Sequence, residues 1–144
     1  MALILVTGAA SGLGRDTADA LADDGHDVVV HVRNPARLTG PEDKARWRGV
    51  VTGDLAQPGE IPGVARQAAA CGRFDAVIHN AGTMHVPDAV TVNTVAPYVL
   101  TALMDKPARL IHLSSSMHRT GSTELRVLAT ATAASGSRPP GRPR

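Results

Sequence analysis

The stretch from Thr7 to Gly14, Thr-Gly-Ala-Ala-Ser-Gly-Leu-Gly, is the feature that most constrains how this chain can fold. It follows an apolar run, Ala2 to Val6, that is long enough for one buried strand, and it leads into a segment with the pattern of an amphipathic helix. The order of strand, glycine turn and helix is typical of a parallel α/β unit that binds a dinucleotide. A glycine turn that only reverses the chain is the alternative.

Each position of this turn has a predicted role. In such a unit the first glycine permits the tight turn, the second lets the backbone approach a pyrophosphate, and the third lets helix and strand pack together. The phosphates bind free N–H groups at the positive end of the helix. The predicted cofactor-binding residues of the turn are therefore Gly8, Ser11, Gly12, Leu13 and Gly14.

Further apolar segments predict the rest of the sheet. Two helical patterns, Arg15 to Asp24 and Ile61 to Cys71, separate strands that are predicted at residues 27–33, 49–52, 74–79 and 109–113. The uninterrupted valines 28 to 30 are typical of a parallel strand that is covered on both faces. We therefore expect an α/β fold, a partial doubly wound (Rossmann) parallel sheet of about five strands in the order 3-2-1-4-5.

The glycine spacing, with a threonine in front of it, resembles the short-chain dehydrogenase/reductase family. Further matches follow in the family's order: Asp54-Leu55, Asn80-Ala81-Gly82, Asn93, and Ser114-Ser115-Ser116 after an apolar strand. The resemblance covers about residues 2 to 121 and then stops. It implies an oxidoreductase that interconverts a small-molecule alcohol and carbonyl by hydride transfer with a nicotinamide dinucleotide.

The end of the second predicted strand bears on the choice of cofactor. An acidic side chain there selects NAD, whereas a basic one accommodates the 2′-phosphate of NADP. Val32 stands at the family's acid position, and Arg33 follows it. The resemblance therefore implies NADP, with NAD less favoured. In the alternative, Arg33 is an ordinary solvated residue at a strand end.

The resemblance also assigns cofactor contacts to two later segments. Asp54, beside Leu55, corresponds to the acid that hydrogen-bonds the exocyclic amine of adenine, although a helix or turn cap is the alternative for this residue. Small residues after the fourth strand let the backbone run beside the cofactor, and the asparagine among them ties neighbouring strands together. These residues are Asn80, Ala81 and Gly82.

Asn93 and Ser115 are the catalytic residues that the resemblance implies. Val92 to Tyr98 looks like the family's mid-helix segment, in which the asparagine positions a water for a proton relay. Ser115 falls at the position of the serine that hydrogen-bonds the substrate carbonyl, and a polar loop is the alternative for this serine cluster. The histidines have no metal-ligand spacing, so no metal site is predicted.

The resemblance breaks at the proton donor. Hydride transfer to a carbonyl leaves an alkoxide that must be protonated, and the family uses the tyrosine of a Tyr-x-x-x-Lys motif after the serine. The chain has one tyrosine, Tyr98, and its lysines are Lys44 and Lys106, all of which precede Ser115. We therefore expect little or no activity from the chain as it stands.

The last part of the chain differs from the rest in composition. Residues 123–144 are rich in Arg, Pro and Gly and have no apolar periodicity beyond Leu128. We expect residues 1–122 to form a truncated NAD(P)-binding Rossmann-like domain and residues 123–144 to form a disordered tail. A shifted reading frame in GC-rich coding DNA is a hypothesis for this ending.

Charge, cysteine content and hydropathy exclude several partners. Residues 126–144 contain four arginines and no acid, so the slight basic excess comes from the tail and does not indicate nucleic acid. The single cysteine, Cys71, excludes an internal disulfide framework and fits a reducing compartment. With no signal peptide and no bilayer-spanning stretch, a cytoplasmic protein without a membrane partner is expected.

Two other functions remain open. The chain could be a non-catalytic module that binds a dinucleotide and signals or pairs with a partner through the bound state. It could also be a fragment that a second chain completes by supplying the tyrosine and lysine. An oligomer is possible, but the family's usual dimer helices are missing from the part of the chain that matches.

Overall fold

The computed structural model describes residues 1–38, 45–116 and 119. The chain divides into two compact units, Met1–Leu113 and Ser114–Arg144. The predicted tail, 123–144, and its boundary with the preceding domain lie outside the described residues, so both remain predictions.

The first unit contains one parallel sheet. Its strands are β1 (Leu3–Val6), β2 (Asp27–Val32), β3 (Gly49–Thr52), β4 (Ala76–His79) and β5 (Arg109–His112). They lie in the order β3-β2-β1-β4-β5, and every neighbouring pair is parallel. The predicted fold class and strand order are confirmed.

Helical segments connect the strands, since parallel strands need a crossover. Helix α1 (Gly12–Asp23) follows β1, a 3₁₀ helix (Pro35–Arg37) follows β2, and α2 (Ile61–Ala70) follows β3. Between β4 and β5 the chain forms α3 (Val86–Val90), a π-helical segment (Thr91–Val95) and α4 (Ala96–Leu103).

The sheet is packed on both faces. Ala18 of α1 lies in one buried cluster with Val28, Val30 and Val32 of β2. The other cluster joins Val29 and the neighbouring strands to residues of α2 and α4. Because each fully buried aliphatic side chain contributes about 1.5–3 kcal/mol, these valines stabilise the centre of the sheet.

Two element boundaries differ from the predicted ones by more than one residue. Helix α1 begins at Gly12, inside the glycine turn, and not at Arg15. Strand β4 begins at Ala76, because Phe74 is already buried in the core and the Asp75 carboxylate accepts a hydrogen bond from the Leu3 N–H at 2.8 Å.

Strand β5 is less covered than the others. It lies at one end of the sheet order, and all four of its residues are exposed. Leu110 and Ile111, whose side chains point to opposite faces, are 41% and 44% exposed. The side chains on both faces of β5 are thus exposed at this edge of the sheet.

Candidate functional site

A cavity of about 410 Å³ opens beside the glycine turn, within the first unit. It lies where β1 separates β2 from β4, the point at which the strand order reverses. Open parallel sheets bind their ligands at this point, beyond the carboxyl ends of the strands. The predicted cofactor-binding residues that line the cavity are Gly8, Ser11, Leu13, Gly14, Arg33, Asp54, Leu55, Asn80, Ala81 and Gly82.

Gly8 has no room for a side chain. Its φ is +69°, a left-handed backbone conformation that glycine adopts readily. A Cβ atom at this position would lie 2.8 Å from the Cα of Ala81. The turn therefore needs glycine both for its conformation and for its close approach to the segment after β4.

Gly14 is required for a different reason. A Cβ atom there would overlap the side-chain amide of Asn80 and would lie 2.6 Å from the carbonyl oxygen of Gly8. Because Gly14 has no side chain, α1 can approach both Asn80, the residue after β4, and the Gly8 carbonyl in the preceding turn. Gly14 thus lets α1 begin directly against the strand ends.

The beginning of α1 is suited to an anion. The backbone of Ser11 is extended, its side chain makes no capping hydrogen bond, and no acid lies in the first turn. The first N–H groups of a helix have no partner within the helix and carry a partial positive charge. Gly12, which does not line the cavity, has φ +59° and open space around its Cα, so the turn stays accessible.

Two arginines lie at the β2 side of the cavity. Arg33 directly follows the buried Val32, and Arg37 ends the 3₁₀ helix. The Asn34 side chain accepts a hydrogen bond from the Ala36 N–H at 2.9 Å and so begins that helix. Arg37 is not among the predicted cofactor-binding residues, although the four-residue spacing of the two arginines is visible in the sequence.

Asp54 lines the cavity and also closes a local turn. Its Oδ1 accepts a hydrogen bond from the Ala56 N–H at 3.0 Å, and its own N–H donates to the Glu60 carboxylate at 2.7 Å. The turn role that we left open for Asp54 thus occurs together with a place in the cavity wall. Leu55, next to it, is buried.

Asn80 joins the end of β4 to the glycine turn. Its Nδ2 donates to the carbonyl oxygens of Thr7 and Gly8, at 2.9 and 3.3 Å. The backbone N–H groups of Asn80 and Ala81 both donate to the Thr7 hydroxyl at 3.0 Å. Thr7, which has no predicted role, is buried and comes directly before the first glycine of the turn.

His31, on β2, lines the cavity and is not among the predicted site residues. Its buried imidazole lies between Gly8 and Gly53 and forms a hydrogen bond with each. Burial lowers the pKa of His31, against the opposing effects of the Gly53 hydrogen bond and the Asp54 charge. The ring is therefore neutral at pH 7.

Asn93 lies in the π-helical segment, outside the cavity lining. Its Nδ2 donates to the Thr83 carbonyl at 2.8 Å, and its Oδ1 accepts from the Thr83 N–H at 2.9 Å. The Ala96 N–H donates to the Thr91 carbonyl, five residues back. Pro97 has no N–H to donate to the Asn93 carbonyl, so regular α-helical bonding is interrupted here.

Ser115 is exposed and belongs to the second unit, whereas the cavity belongs to the first. A second histidine, His79, is buried at the end of β4, where it forms a hydrogen bond with the Thr101 hydroxyl at 3.0 Å and stacks on His112.

Within the described ranges, no group of three or more His, Cys, Asp or Glu side chains could hold a metal ion. No helix in those ranges is long and apolar enough to cross a membrane.

Comparison with known sequences gives one consistent result. The profile described as short chain dehydrogenase matches residues 2–94. An uncharacterized oxidoreductase of Emericella nidulans, AN7799, is 37% identical over 140 residues, which cover 88% of this chain and 55% of that protein. The short-chain dehydrogenase chry4 of Gibberella zeae is 38% identical over 136 residues, with coverages of 88% and 52%. The chain thus spans about half the length of these relatives.

Solved structures show the same architecture. The oxidoreductase yciK from E. coli is 28% identical and superposes with a TM-score of 0.70 over 93% of this chain and 66% of that one. A short-chain dehydrogenase from Sphingobium yanoikuyae, in complex with NADPH, has a TM-score of 0.70 over 92% of this chain and 61% of that one. At 23% identity, this second likeness is evidence of the fold alone.

Proposed function

Because the chain belongs to the short-chain dehydrogenase family, we propose that its first unit binds a nicotinamide dinucleotide, NADP(H) in preference to NAD(H). The observation that carries this proposal is the composition of one cavity. The glycine turn, the uncapped start of α1 and two arginines all contribute to its wall. Together they provide donors for a pyrophosphate and cations for a further phosphate.

The pyrophosphate binds at the glycine turn. Ser11, Gly12, Leu13 and Gly14 bring backbone N–H groups to the phosphate oxygens, Gly8 permits the tight turn that presents these groups, and the α1 dipole adds to the attraction. The absence of a capping bond from Ser11 supports this role, since a protein acceptor does not compete for the same N–H groups.

Arg33 and Arg37 bind the 2′-phosphate that distinguishes NADP from NAD. Val32 is buried at the position where an acid would bind the ribose hydroxyls. NAD therefore lacks the acidic partner that would favour it over NADP. Guanidinium groups form charge-assisted hydrogen bonds with phosphate and are well matched to its geometry. The exposed Arg33 and Arg37 side chains leave their cations accessible to a ligand.

The adenine binds beside Asp54 and Leu55, where a carboxylate oxygen accepts from its exocyclic amine. The remainder of the cofactor runs past Asn80, Ala81 and Gly82. Both groups of residues line the same cavity, which supports one continuous binding site for the cofactor.

The reaction that we propose for the complete enzyme interconverts a small-molecule alcohol and a carbonyl. The bound dinucleotide supplies or accepts the hydride. Ser115 hydrogen-bonds the substrate carbonyl, and Asn93 positions a water for proton transfer. The sole tyrosine, Tyr98, precedes Ser115 in the chain, so this chain has no candidate in the family's position for the proton donor. We propose that it has little or no turnover on its own.

A direct test is to titrate NADPH and NADH into the purified chain by calorimetry. We expect the wild-type chain to bind NADPH more tightly than NADH. Arg33→Ala should weaken NADPH binding about 10- to 100-fold, because a lost charge-assisted hydrogen bond costs about 1.5–3 kcal/mol. NADH binding should be nearly unchanged. Arg66→Ala, which removes an exposed arginine of α2 outside the cavity lining, is the matched control.

Equal affinity for the two cofactors would contradict the NADP assignment. Binding of neither cofactor would contradict the whole proposal. A loss of NADPH affinity in Arg66→Ala as large as in Arg33→Ala would show that general positive charge, and not the cavity, attracts the ligand.

The alternative functions differ in turnover. NADPH binding without turnover under any condition favours a non-catalytic dinucleotide-binding module, and turnover that needs an added partner favours completion by a second chain. Sequencing the gene and translating all three frames beyond Gly121 tests the frameshift hypothesis. A frame that opens into a Tyr-x-x-x-Lys segment would assign the function to the restored enzyme.

A cytoplasmic location, based on the single cysteine, remains part of this proposal.

A further inference from the structure

We propose that His31 is a positioning residue of the dinucleotide site. Its neutral imidazole accepts a hydrogen bond from the Gly8 N–H and links the glycine turn to the end of β3. Protonation of the ring weakens dinucleotide binding. This inference rests on the proposed function, since it concerns the same cavity.

The position of His31 follows from the strand order. β2 lies between β1 and β3, and His31 pairs with Val51 in the sheet register. Just beyond the carboxyl ends of those neighbours are Gly8 and Gly53. The imidazole crosses this gap: its Nδ1 lies 3.3 Å from the Gly8 nitrogen and its Nε2 lies 2.9 Å from the Gly53 oxygen.

These two partners determine the tautomer. A carbonyl oxygen can only accept, so Nε2 carries the proton and donates it to Gly53. A backbone N–H can only donate, so Nδ1 must be unprotonated to accept from Gly8. An imidazolium has a proton on both nitrogens, and its Nδ1–H would oppose the Gly8 N–H. Protonation therefore replaces a hydrogen bond with a repulsive contact at the first glycine of the turn.

Gly8 is held from both sides by this arrangement. Its N–H is held by His31, and its carbonyl accepts from the Asn80 amide at 3.3 Å. The residue has φ +69° and almost no free space towards Ala81. Loss of the His31 hydrogen bond therefore acts on the residue that sets the direction of the turn into α1.

The charges around the ring oppose one another. Asp54, after β3, favours the imidazolium, and Glu60, at the start of α2, bonds the Asp54 N–H. Arg33 and Arg37 line the same cavity, as does Asp88 of α3. Burial outweighs the Asp54 effect and keeps the pKa of His31 below its ordinary value of 6.5. The ring is thus neutral above pH 6.5 and becomes charged at some lower pH.

The sign of the pH effect separates two roles. If His31 acts only as a charge, its protonation attracts the cofactor phosphates and raises affinity at low pH. If it positions Gly8, protonation distorts the turn and lowers affinity. We expect the second result.

The experiment measures the NADPH dissociation constant from pH 8 to pH 5 for the wild type, His31→Asn and His31→Gln. Asparagine retains an acceptor near Nδ1 but does not titrate, whereas glutamine retains a donor towards Gly53 and loses the acceptor for Gly8. At pH 8 we expect His31→Gln to bind NADPH about two- to tenfold more weakly than His31→Asn, the range for one lost hydrogen bond.

On acidification, the wild type should lose affinity relative to His31→Asn. The 2′-phosphate of the ligand also titrates near pH 6, but its contribution is common to both proteins and cancels in the ratio. A ratio that stays constant while the His31 ring titrates, or that rises in favour of the wild type, would overturn the positioning role.

Nuclear magnetic resonance of the cofactor-free wild type gives a second readout that needs no variant. We expect an Nε2–H tautomer, and a Gly8 amide resonance that follows the titration of His31. If dinucleotide binds but the Gly8 amide does not respond, the proposal is wrong. If the amide responds but no dinucleotide binds at any pH, the link between His31 and Gly8 stands, and the proposed function and its pH effect fail.

Discussion

At the scale of single residues, close contacts determine where the glycine turn tolerates a side chain. Gly14 and Gly63 both lie inside helices, α1 and α2, where glycine is less favourable than alanine by about 0.5–1 kcal/mol. Their surroundings differ. A Cβ on Gly14 would overlap Asn80, whereas one on Gly63 would meet only the flexible end of Arg66, at 3.8 Å. The same substitution should therefore have opposite effects at the two positions.

We predict that Gly14→Ala lowers the free energy of unfolding by about 1–3 kcal/mol, the usual cost of overpacking. Gly63→Ala, its matched control, should raise that free energy by about 0.5–1 kcal/mol. Urea unfolding of the two variants and the wild type measures both changes. A stabilising effect at both positions would mean that the turn relaxes away from Asn80 without cost.

His79 provides a prediction of pH dependence. Burial, with a smaller contribution from His112, lowers the pKa of His79 to about 4. Between about pH 6.5 and pH 4 the unfolded chain therefore binds a proton that the folded chain does not, so stability is retained above pH 6.5 and falls as the pH falls towards 4. We expect the unfolding free energy of the wild type to decrease across this window.

His79→Gln removes this titration, so its unfolding free energy should decrease less over the same window. The comparison isolates His79 from His31, whose lowered pKa acts in the same direction. A difference between wild type and variant that is constant from pH 7 to pH 4.5 would contradict the prediction.

At the scale of elements, the helical region between β4 and β5 is shaped by the Asn93 side chain and by Pro97, which has no backbone N–H to donate. The Asn93 side chain bonds both backbone groups of Thr83, and Pro97 interrupts the helical bonding four residues later. The π-helical segment contains Asn93 and ends two residues before Pro97. The Asn93 side chain therefore holds the loop after β4 against the helix that follows it.

We predict that Asn93→Ala releases Thr83, with a loss of about 0.5–1.5 kcal/mol for each hydrogen bond. The Thr83 amide should exchange with solvent faster in this variant, because its acceptor is removed. Thr94→Ala, a change at the next and equally exposed position of the same segment, is the control and should leave Thr83 protected. Unchanged exchange at Thr83 in Asn93→Ala would show that the loop is held by other contacts.

At the scale of the whole molecule, coverage of the sheet is uneven. The centre is buried on both faces, whereas β5 is exposed at the edge. An apolar edge strand can pair with the same strand of another copy. The β5 edge, with Leu110 and Ile111 exposed, is therefore a site where self-association of the chain is expected.

We predict that the isolated chain associates at high concentration and that Ile111→Lys reduces this association in sedimentation velocity experiments. A lysine on an edge strand opposes edge-to-edge pairing, and the position is 44% exposed, so the fold should tolerate it. Leu103→Lys is the control, because Leu103 is 54% exposed and belongs to α4, not to an edge strand. Equal effects of the two changes would assign the association to general apolar surface.

The sheet could be predicted from the sequence, because its determinants are short-range. The apolar run before Gly8, the valines of β2 and the intervening helical patterns each occupy a few adjacent residues. Rules for parallel α/β units then leave few strand orders, and the observed one is the order predicted. The glycine turn was recognised for the same reason: its spacing is local.

The contacts that complete the candidate site were decided only by the tertiary structure. Thr7 meets Asn80, 73 residues away, and His31 meets Gly53, 22 residues away. Neither pairing has a local pattern, since a hydrogen bond across strand ends depends on which strands become neighbours. Arg37 reaches the cavity through a short 3₁₀ helix whose start depends on Asn34. Local periodicity and backbone sterics thus made the architecture and the turn predictable, whereas the packing of distant strands placed the side chains that surround that turn.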